Sequence, residues 1–244
     1  MRNALLRLAG LALFTMPVSA QSVDDMVARY IKTVGGMEAI QAVHTLRRAG
    51  KFTGDGGFEA AVVQENKRPN KVRREFSLQG MTAITAYDGT TGWKIEPWQG
   101  KKDAEALSED EMKQMVEDAD FDEPLVNYRQ KGHKVEFLGM EQVEGTDVFK
   151  LKVTLASGDV RYYYLDTDYY VPIKIEMKRT IRGAEQEFET SLGDYKPVAG
   201  WYLPYSIESG VKGSPFTQKV TFETIEANVA IDDGGFLRPK GTER

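Results

Sequence analysis

The sequence offers few side chains that could carry out covalent or redox chemistry. It contains no cysteine and only two histidines, His44 and His133, both at boundaries between predicted elements. Neither lies near a G-x-S-x-G motif, so a nucleophile with its base has no support in the sequence. A carboxylate pair for glycoside hydrolysis stays open, because nothing distinguishes one pair among 37 acidic residues. We expect a protein without catalytic residues and without a cofactor.

Residues 118–122, which read D-A-D-F-D, imitate the start of a calcium-binding loop. The sixth position of such a loop requires glycine for a sharp turn, and the twelfth requires a bidentate glutamate. These positions are Glu123 and Arg129 in this chain. We interpret the segment as a solvated acidic helix face and expect no metal site.

Arg68 is the residue that we expect to matter most for function. It stands in Lys67-Arg68-Pro69-Asn70, where Pro69 disfavours a helical conformation of the residue before it and has no amide for a central sheet ladder. Arg68 is therefore predicted to be extended, at a strand edge or bulge. At the rim of an apolar cavity, its guanidinium could bind carbonyls of a covering helix or loop and release them when a ligand enters. The alternative is a solvated charge that discourages strand addition at the edge.

A second group of residues is predicted to line the cavity or its lid. Arg74 belongs to it because it shares a strand face with Val72, Phe76 and Leu78. Methionine adapts its shape to irregular partners, which suits a surface that alternately covers and releases a ligand. For each tryptophan, ordinary core packing is the alternative. The predicted lining residues are Arg74, Trp93, Trp98, Met112, Met115 and Phe121.

Apolar residues at helical spacing predict helices at two places along the chain. Ser22 begins the first helix, Gly35-Gly36 ends it, and a short helix follows from Met37 to Val43. Further along, a capping box from Ser108 to Glu111 begins another helix, and a short one is predicted from Asp122 to Tyr128. A helix packed permanently on the sheet is the alternative to a movable lid.

Alternating apolar and polar residues predict strands over most of the remaining chain. About eleven strands, separated by short turns rich in Gly and Asp, are expected between Leu46 and Asn228. A meander of this kind curls because sheets twist, and the helices are left to cover its open side. The predicted fold class is mainly β (α+β), an incomplete antiparallel barrel with a small helical lid, in a single domain over residues 21–244.

Residues 1–20 are predicted to be a cleaved secretory signal peptide. Arg2 and Arg7 form a basic start, Leu8 to Met16 is an apolar run too short to span a bilayer, and Val18-Ser19-Ala20 is a small-residue cleavage site. Cleavage leaves 30 basic and 37 acidic residues and a net charge of −7. Such a chain is a poor candidate for binding nucleic acid or anionic bilayers. Without cysteine it has neither disulfides nor a site for lipid attachment, and we expect a soluble exported protein.

The stretch from Lys67 to Pro97 resembles LolA, the periplasmic lipoprotein carrier of Gram-negative bacteria. Lys67-Arg68-Pro69-Asn70, followed by Asp88-Gly89, Trp93 and Pro97, matches the order and spacing of the K-R-P-N and D-G-x-x-x-W-x-x-x-P motifs. The resemblance implies an incomplete barrel that holds an apolar cavity beneath helices. It also ties Arg68 to lid closure and cargo release.

The resemblance further implies a periplasmic protein that receives acyl chains of lipoproteins or lipids from an inner-membrane donor and delivers them to an outer-membrane acceptor. We expect it to act as a monomer. Two alternatives stay open. One is a periplasmic lipid sensor that acts on an inner-membrane signalling partner, since the same fold serves in such regulators. The other is a periplasmic hydrolase or scaffold that uses the barrel without lipid.

Overall fold

The computed structural model describes residues 22–100, 102–181 and 184–239 of the protein. These residues contain three α-helices and thirteen strands. The helices are α1 (Val23–Thr33), α2 (Gly36–Ala42) and α3 (Glu109–Asp118). The strands are β1 (Thr45–Thr53), β2 (Glu59–Lys67), β3 (Lys71–Leu78), β4 (Met81–Tyr87), β5 (Gly92–Ile95), β6 (Glu105–Ala106), β7 (Lys134–Val143), β8 (Thr146–Thr154), β9 (Val160–Asp166), β10 (Pro172–Ile181), β11 (Ala184–Val198), β12 (Trp201–Val211) and β13 (Thr217–Ala227).

The strands form one antiparallel sheet in the order β6-β5-β4-β3-β2-β1-β13-β12-β11-β10-β9-β8-β7. Strands β1 and β13 pair with each other, which joins the N-terminal and C-terminal halves into one sheet. Strands β6 and β7 are the two edges, so the barrel is not closed and the predicted fold class is confirmed. The sheet has more strands than the eleven expected, in part because Glu105–Ala106 is too short to show alternation.

Helix α3 lies in the gap between the two halves of the sheet. Met115 packs with Val72 of β3 and Tyr87 of β4 in a small buried cluster. Glu117 forms an ion pair with Arg161 of β9, on the other half. The helix therefore bridges the opening that the unpaired strands leave.

The helices α1 and α3 begin where the sequence predicts. Ser22 and Ser108 each cap a helix, and both do so through a capping box. The short helix predicted from Asp122 to Tyr128 does not form, and hydrogen-bonded turns take its place. Glu123 and Asn127 adopt left-handed conformations, with φ of 63° and 54°, which a right-handed helix does not accommodate.

The main hydrophobic core lies at one end of the inner face of the sheet. We call the elements that cover it the lid, which consists of α1, α2 and the turn segment, residues 119–132. Large buried side chains of this core come from both the lid and the sheet. They include Met26, Ile40, Leu46, Leu125, Tyr163 and Trp201. The end of the sheet away from the lid is called the open end below.

Among the described residues, no helix combines the length and apolar character that crossing a membrane requires. The predicted signal peptide, residues 1–20, lies outside the described residues. Its cleavage, and a single domain from residue 21, stay predictions.

Candidate functional site

The register of the sheet shows which side chains share the inner face, on which the core lies. Residues directly opposite each other in neighbouring antiparallel strands point to the same side. Two such rows cross β1, β2 and β3, beyond the end that the lid covers. The row nearer the lid is Arg48, Gln64 and Arg74, and the row nearer the open end is Gly50, Val62 and Phe76.

Apolar side chains toward the open end remain partly exposed on the inner face. We call this part of the face the hollow, and its residues are Phe52, Phe76, Trp98, Ile207 and Val220. Phe52 and Phe76 contact edge to face, with 5.1 Å between ring centroids, and the Trp98 ring lies 5.9 Å from that of Phe76. Across the sheet, Val220 lies opposite both Phe52 and Ile207. Trp98 is 41% exposed at the rim, whereas the other four are half-buried. Of these, Ile207 and Val220 also pack against the main core, while Phe52, Phe76 and Trp98 extend the apolar surface toward the rim.

A groove of about 700 Å³ opens between α3 and strands β9 to β11. Its walls include Met177 and Phe188, which lie opposite each other on the inner face. Glu117 and Arg161, the ion pair that holds α3 to the sheet, line the same groove. The groove therefore reaches the inner face beside the bridging helix.

A chain of polar contacts crosses β1, β2 and β3 on the inner face, between the lid and the open end. The Asn66 side-chain oxygen accepts hydrogen bonds from Arg48 Nη1 at 2.8 Å and from Gln64 Nε2 at 2.9 Å. Gln64 Oε1 in turn accepts from Arg74 Nε at 3.3 Å. Arg74 Nη1 lies 2.8 Å from the Asp118 carboxylate, at the end of α3. The predicted lining residue Arg74 thus connects the sheet to the bridging helix.

Ionisable groups on the inner face have pKa values that burial shifts. Burial lowers the pKa of Arg48 to about 10 and raises the pKa of the Tyr163 hydroxyl to about 12. Burial also raises the pKa of the Glu123 carboxyl, although the charge of Arg48 opposes this shift. Arg48 and Glu123 nevertheless keep accessible surface.

The raised pKa of Glu123 makes a testable contribution to stability. Because the folded state holds this proton more tightly than the unfolded state, stability falls as the pH rises from about 4.5, the ordinary value, through the folded pKa. We expect Glu123→Gln to melt at a higher temperature than the parent at about pH 8, and to lose this advantage near pH 4. Thermal unfolding followed by circular dichroism at both pH values measures the difference. A variant that is less stable than the parent at pH 8 would contradict this sign.

Arg68 connects the end of β2 to two parts of the lid. Its Nε donates to the Val43 carbonyl at 2.7 Å and its Nη2 to the Ile40 carbonyl at 2.9 Å, at the end of α2. The Ile40 carbonyl also accepts from the Val43 amide at 3.4 Å. Its Nη1 donates to the Asp122 carboxylate of the turn segment at 2.9 Å. The guanidinium also lies over the Phe121 ring, 4.4 Å from the centroid. Arg68 therefore holds α2 and the turn segment together.

Three predicted lining residues pack against other side chains in the structure. Phe121 is buried in the main core, with its ring 6.2 Å from the ring of Trp201. Met115 is buried between α3 and the sheet, and Met112 packs against the same small cluster. Only a movement of the lid or of α3 would bring these side chains to a ligand.

Trp93 lies on the outer face, away from the hollow that the sequence predicts it to line. It is opposite Ala86, and Ala86 is opposite Arg73, the neighbour of the inner-face residue Arg74. Its indole Nε1 donates to the Phe236 carbonyl at 2.8 Å, so the C-terminal segment covers it. This packing corresponds to the core alternative for tryptophan.

Arg48 on the inner face and Glu123 in the turn segment are residues near the candidate site that the sequence pattern did not single out. Alternation along β1 places Arg48 on the same side as Leu46 and Phe52, so this signal was available. No local sequence pattern predicts where the Glu123 side chain points, because its left-handed backbone breaks the helix that the sequence predicts there.

No protein-family model matches the chain, and no curated protein sequence matches it either. Several solved structures are similar to this chain. A domain described as an outer membrane lipoprotein-sorting protein, from Vibrio parahaemolyticus, is 14% identical with a TM-score of 0.60, over 87% of this chain and 94% of its own. A DUF1329 family protein from Desulfovibrio piger is 10% identical with a TM-score of 0.62, over 88% and 97% of the two chains.

A LolA superfamily protein from Nitrosomonas europaea is 12% identical with a TM-score of 0.57, over 86% of this chain and 96% of its own. Identities this low establish the likeness of the fold alone. The likeness extends over most of this chain and of each of these structures. The chain therefore has a LolA-like fold, as the motif around Arg68 predicts.

Proposed function

We propose that the protein is a periplasmic carrier that binds acyl chains of lipoproteins or lipids in the hollow on its inner face, without covalent chemistry. The observation that supports this most directly is the set of half-buried apolar side chains at the open end, which includes Phe52, Phe76, Ile207 and Val220. An apolar concave surface suits an apolar ligand. Each buried methylene contributes about 0.8 kcal/mol, so a partly enclosed acyl chain binds favourably.

The lid and Arg68 provide a means of release in this proposal. We call Arg48, Gln64 and Arg74 the polar row. An acyl chain that extends past this row toward the core must displace α2 or the turn segment, which Arg68 holds together. A net hydrogen bond contributes about 0.5–1.5 kcal/mol, so burial of several methylenes outweighs the loss of a few such bonds. Closure of the lid then favours release to a partner that binds the chains more tightly.

The proposed route runs from an inner-membrane donor to an outer-membrane acceptor. The groove between α3 and strands β9 to β11 reaches the inner face, so it offers a side entrance for an acyl chain. Lipoprotein sorting is the description of the similar Vibrio domain and supports the proposal for this chain. The predicted signal peptide supports the periplasmic location.

Extraction of the purified protein with organic solvent and mass spectrometry of the extract tests the proposal. The expected result is a co-purifying lipid or acyl species, together with transfer of a fluorescent acyl probe from the protein to acceptor vesicles. A protein that carries no lipid and binds no acyl probe is not a carrier. A protein that binds the probe without passing it to vesicles or to an acceptor contradicts transport and favours a sensor.

A charge in the apolar wall is expected to weaken acyl binding. Val62 points to the inner face, opposite Gly50 and Phe76, while its neighbour Val63 points to the outer face. We expect Val62→Asp to lower the affinity for a fluorescent fatty acid by about tenfold to a hundredfold, because a carboxylate beside the chain must be desolvated. Titration of the probe, followed by its fluorescence, measures this change. Val63→Asp is the matched control, and equal losses in both variants would place the binding site elsewhere.

A further inference from the structure

The arginines of the inner face differ in whether a carboxylate lies beside them. Arg74 lies against Asp118, and Arg161 pairs with Glu117. Within the described residues, Arg48 lies within 4.0 Å of no carboxylate and donates one hydrogen bond, from Nη1 to the neutral side chain of Asn66. An arginine surrounded by protein is ordinarily paired with an acid or fully hydrogen-bonded. Among the described residues, Arg48 therefore has no ion pair and only one acceptor for its donors, although the charge of Glu123 acts on it from beyond ion-pair distance.

The position of Arg48 makes these donors available to a ligand in the hollow. Its side chain lies on the inner face and keeps accessible surface, as expected for a group that faces an internal space. Burial lowers its pKa to about 10, which still leaves the guanidinium charged at neutral pH. The acid whose charge acts on Arg48 is Glu123, and burial raises the pKa of that carboxyl.

Apolar side chains adjoin Arg48 on the side away from the lid. Along β1, Phe52 follows on the same face, and on the neighbouring strands Val62 and Phe76 lie one row further toward the open end. Each row is about 7 Å from the next, since a strand rises about 3.3 Å per residue. A cationic group at the inner end of an apolar wall suits a molecule with an anionic head and a hydrocarbon tail.

We infer that Arg48 binds the anionic headgroup of an acyl amphiphile whose chain lies along Phe52, Val62 and Phe76 toward the open end. This inference rests on the proposed function, and it specifies the ligand that the hollow prefers. The headgroup enters first and ends at the polar row, below the lid. Two charge-assisted hydrogen bonds from one guanidinium to a carboxylate or phosphate fix its orientation.

Binding of palmitate and of its uncharged methyl ester to the delipidated protein tests the inference. Displacement of a fluorescent acyl probe measures both affinities. We expect palmitate to bind at least tenfold more tightly than the ester, and Arg48→Met to remove this preference while it leaves the ester affinity unchanged. Arg47→Met is the matched control, because Arg47 is the exposed outer-face neighbour that pairs with Glu65. A second titration with lysophosphatidate shows whether a phosphate head is preferred to a carboxylate, and an Arg48-dependent preference for either anion supports the inference.

Three other outcomes count against it. Equal affinity of the parent protein for palmitate and methyl ester overturns the headgroup site but leaves acyl binding intact, and this comparison needs no variant. A preference for the anion that survives in Arg48→Met places the headgroup elsewhere. Failure of both ligands to bind overturns acyl binding itself, and with it the proposed carrier.

Discussion

Replacing Arg68 with leucine is expected to destabilise the protein by about 2–4 kcal/mol and to slow the release of a bound acyl probe about tenfold, because the closed lid that favours release is weakened. Leucine fills much of the space but leaves the Asp122 carboxylate, whose side chain is 18% exposed, without its cation. It also removes the Arg68 donor from the Val43 carbonyl and leaves the Ile40 carbonyl with the Val43 amide alone, at 3.4 Å. The lid then loses the contact that joins α2 to the turn segment. Urea unfolding measures the stability, and stopped-flow fluorescence measures release.

Arg68→Lys separates the charge from the geometry of the guanidinium. Lysine keeps the positive charge but cannot donate to two carbonyls and a carboxylate from one planar group. We expect its stability and release rate to lie between those of the parent and of Arg68→Leu. If Arg68→Leu binds and releases the probe at the parent's rates, Arg68 has no role in the lid, even if stability falls.

Replacing Trp201 with alanine is expected to lower the free energy of unfolding by about 3–5 kcal/mol, as for large aromatic residues in other cores. Trp201 is 2% exposed, at the start of β12, and its ring packs beside Phe121 of the turn segment. The substitution leaves a cavity between sheet and lid, because the surrounding strands cannot collapse into it. Chemical denaturation followed by circular dichroism measures the change.

Trp98→Ala is the control for the size of the side chain. Trp98 is 41% exposed at the rim of the hollow, so its removal creates little buried cavity. We expect a loss of less than about 1 kcal/mol in stability. Similar losses for Trp98→Ala and Trp201→Ala would show that the core beneath the lid does not contribute as the structure indicates.

Much of the local structure could be predicted from the sequence. The Ser22 and Ser108 caps and the alternation of β8 to β10 depend on residues close together along the chain, so a short window contains the necessary information. The end of β2 at Lys67 is of the same kind, since Pro69 lacks an amide for the ladder and Arg68 lies in the turn that follows the strand. The incomplete barrel follows from a long meander of strands with few helices, together with the LolA-like motif.

The sequence did not predict where the turn segment or Trp93 would lie. The apolar spacing from Phe121 to Tyr128 is helical, yet the left-handed backbone at Glu123 and Asn127 changes it into turns. Trp93 has the aromatic character of a lining residue, but the strand pairing points it to the outer face. There the C-terminal segment, more than a hundred residues away, covers it.

By itself the sequence determined most of the helices and strands and their order, and it singled out Arg68 as a residue that could hold a lid. Only the tertiary structure decided that Arg48, Gln64 and Arg74 form one row, and that Arg68 reaches Asp122 and the end of α2 at the same time. The physical reason is that caps and alternation arise from neighbours in the chain. A row of side chains from three strands, by contrast, depends on strand register and sheet curvature, and these are set by the packing of the whole domain.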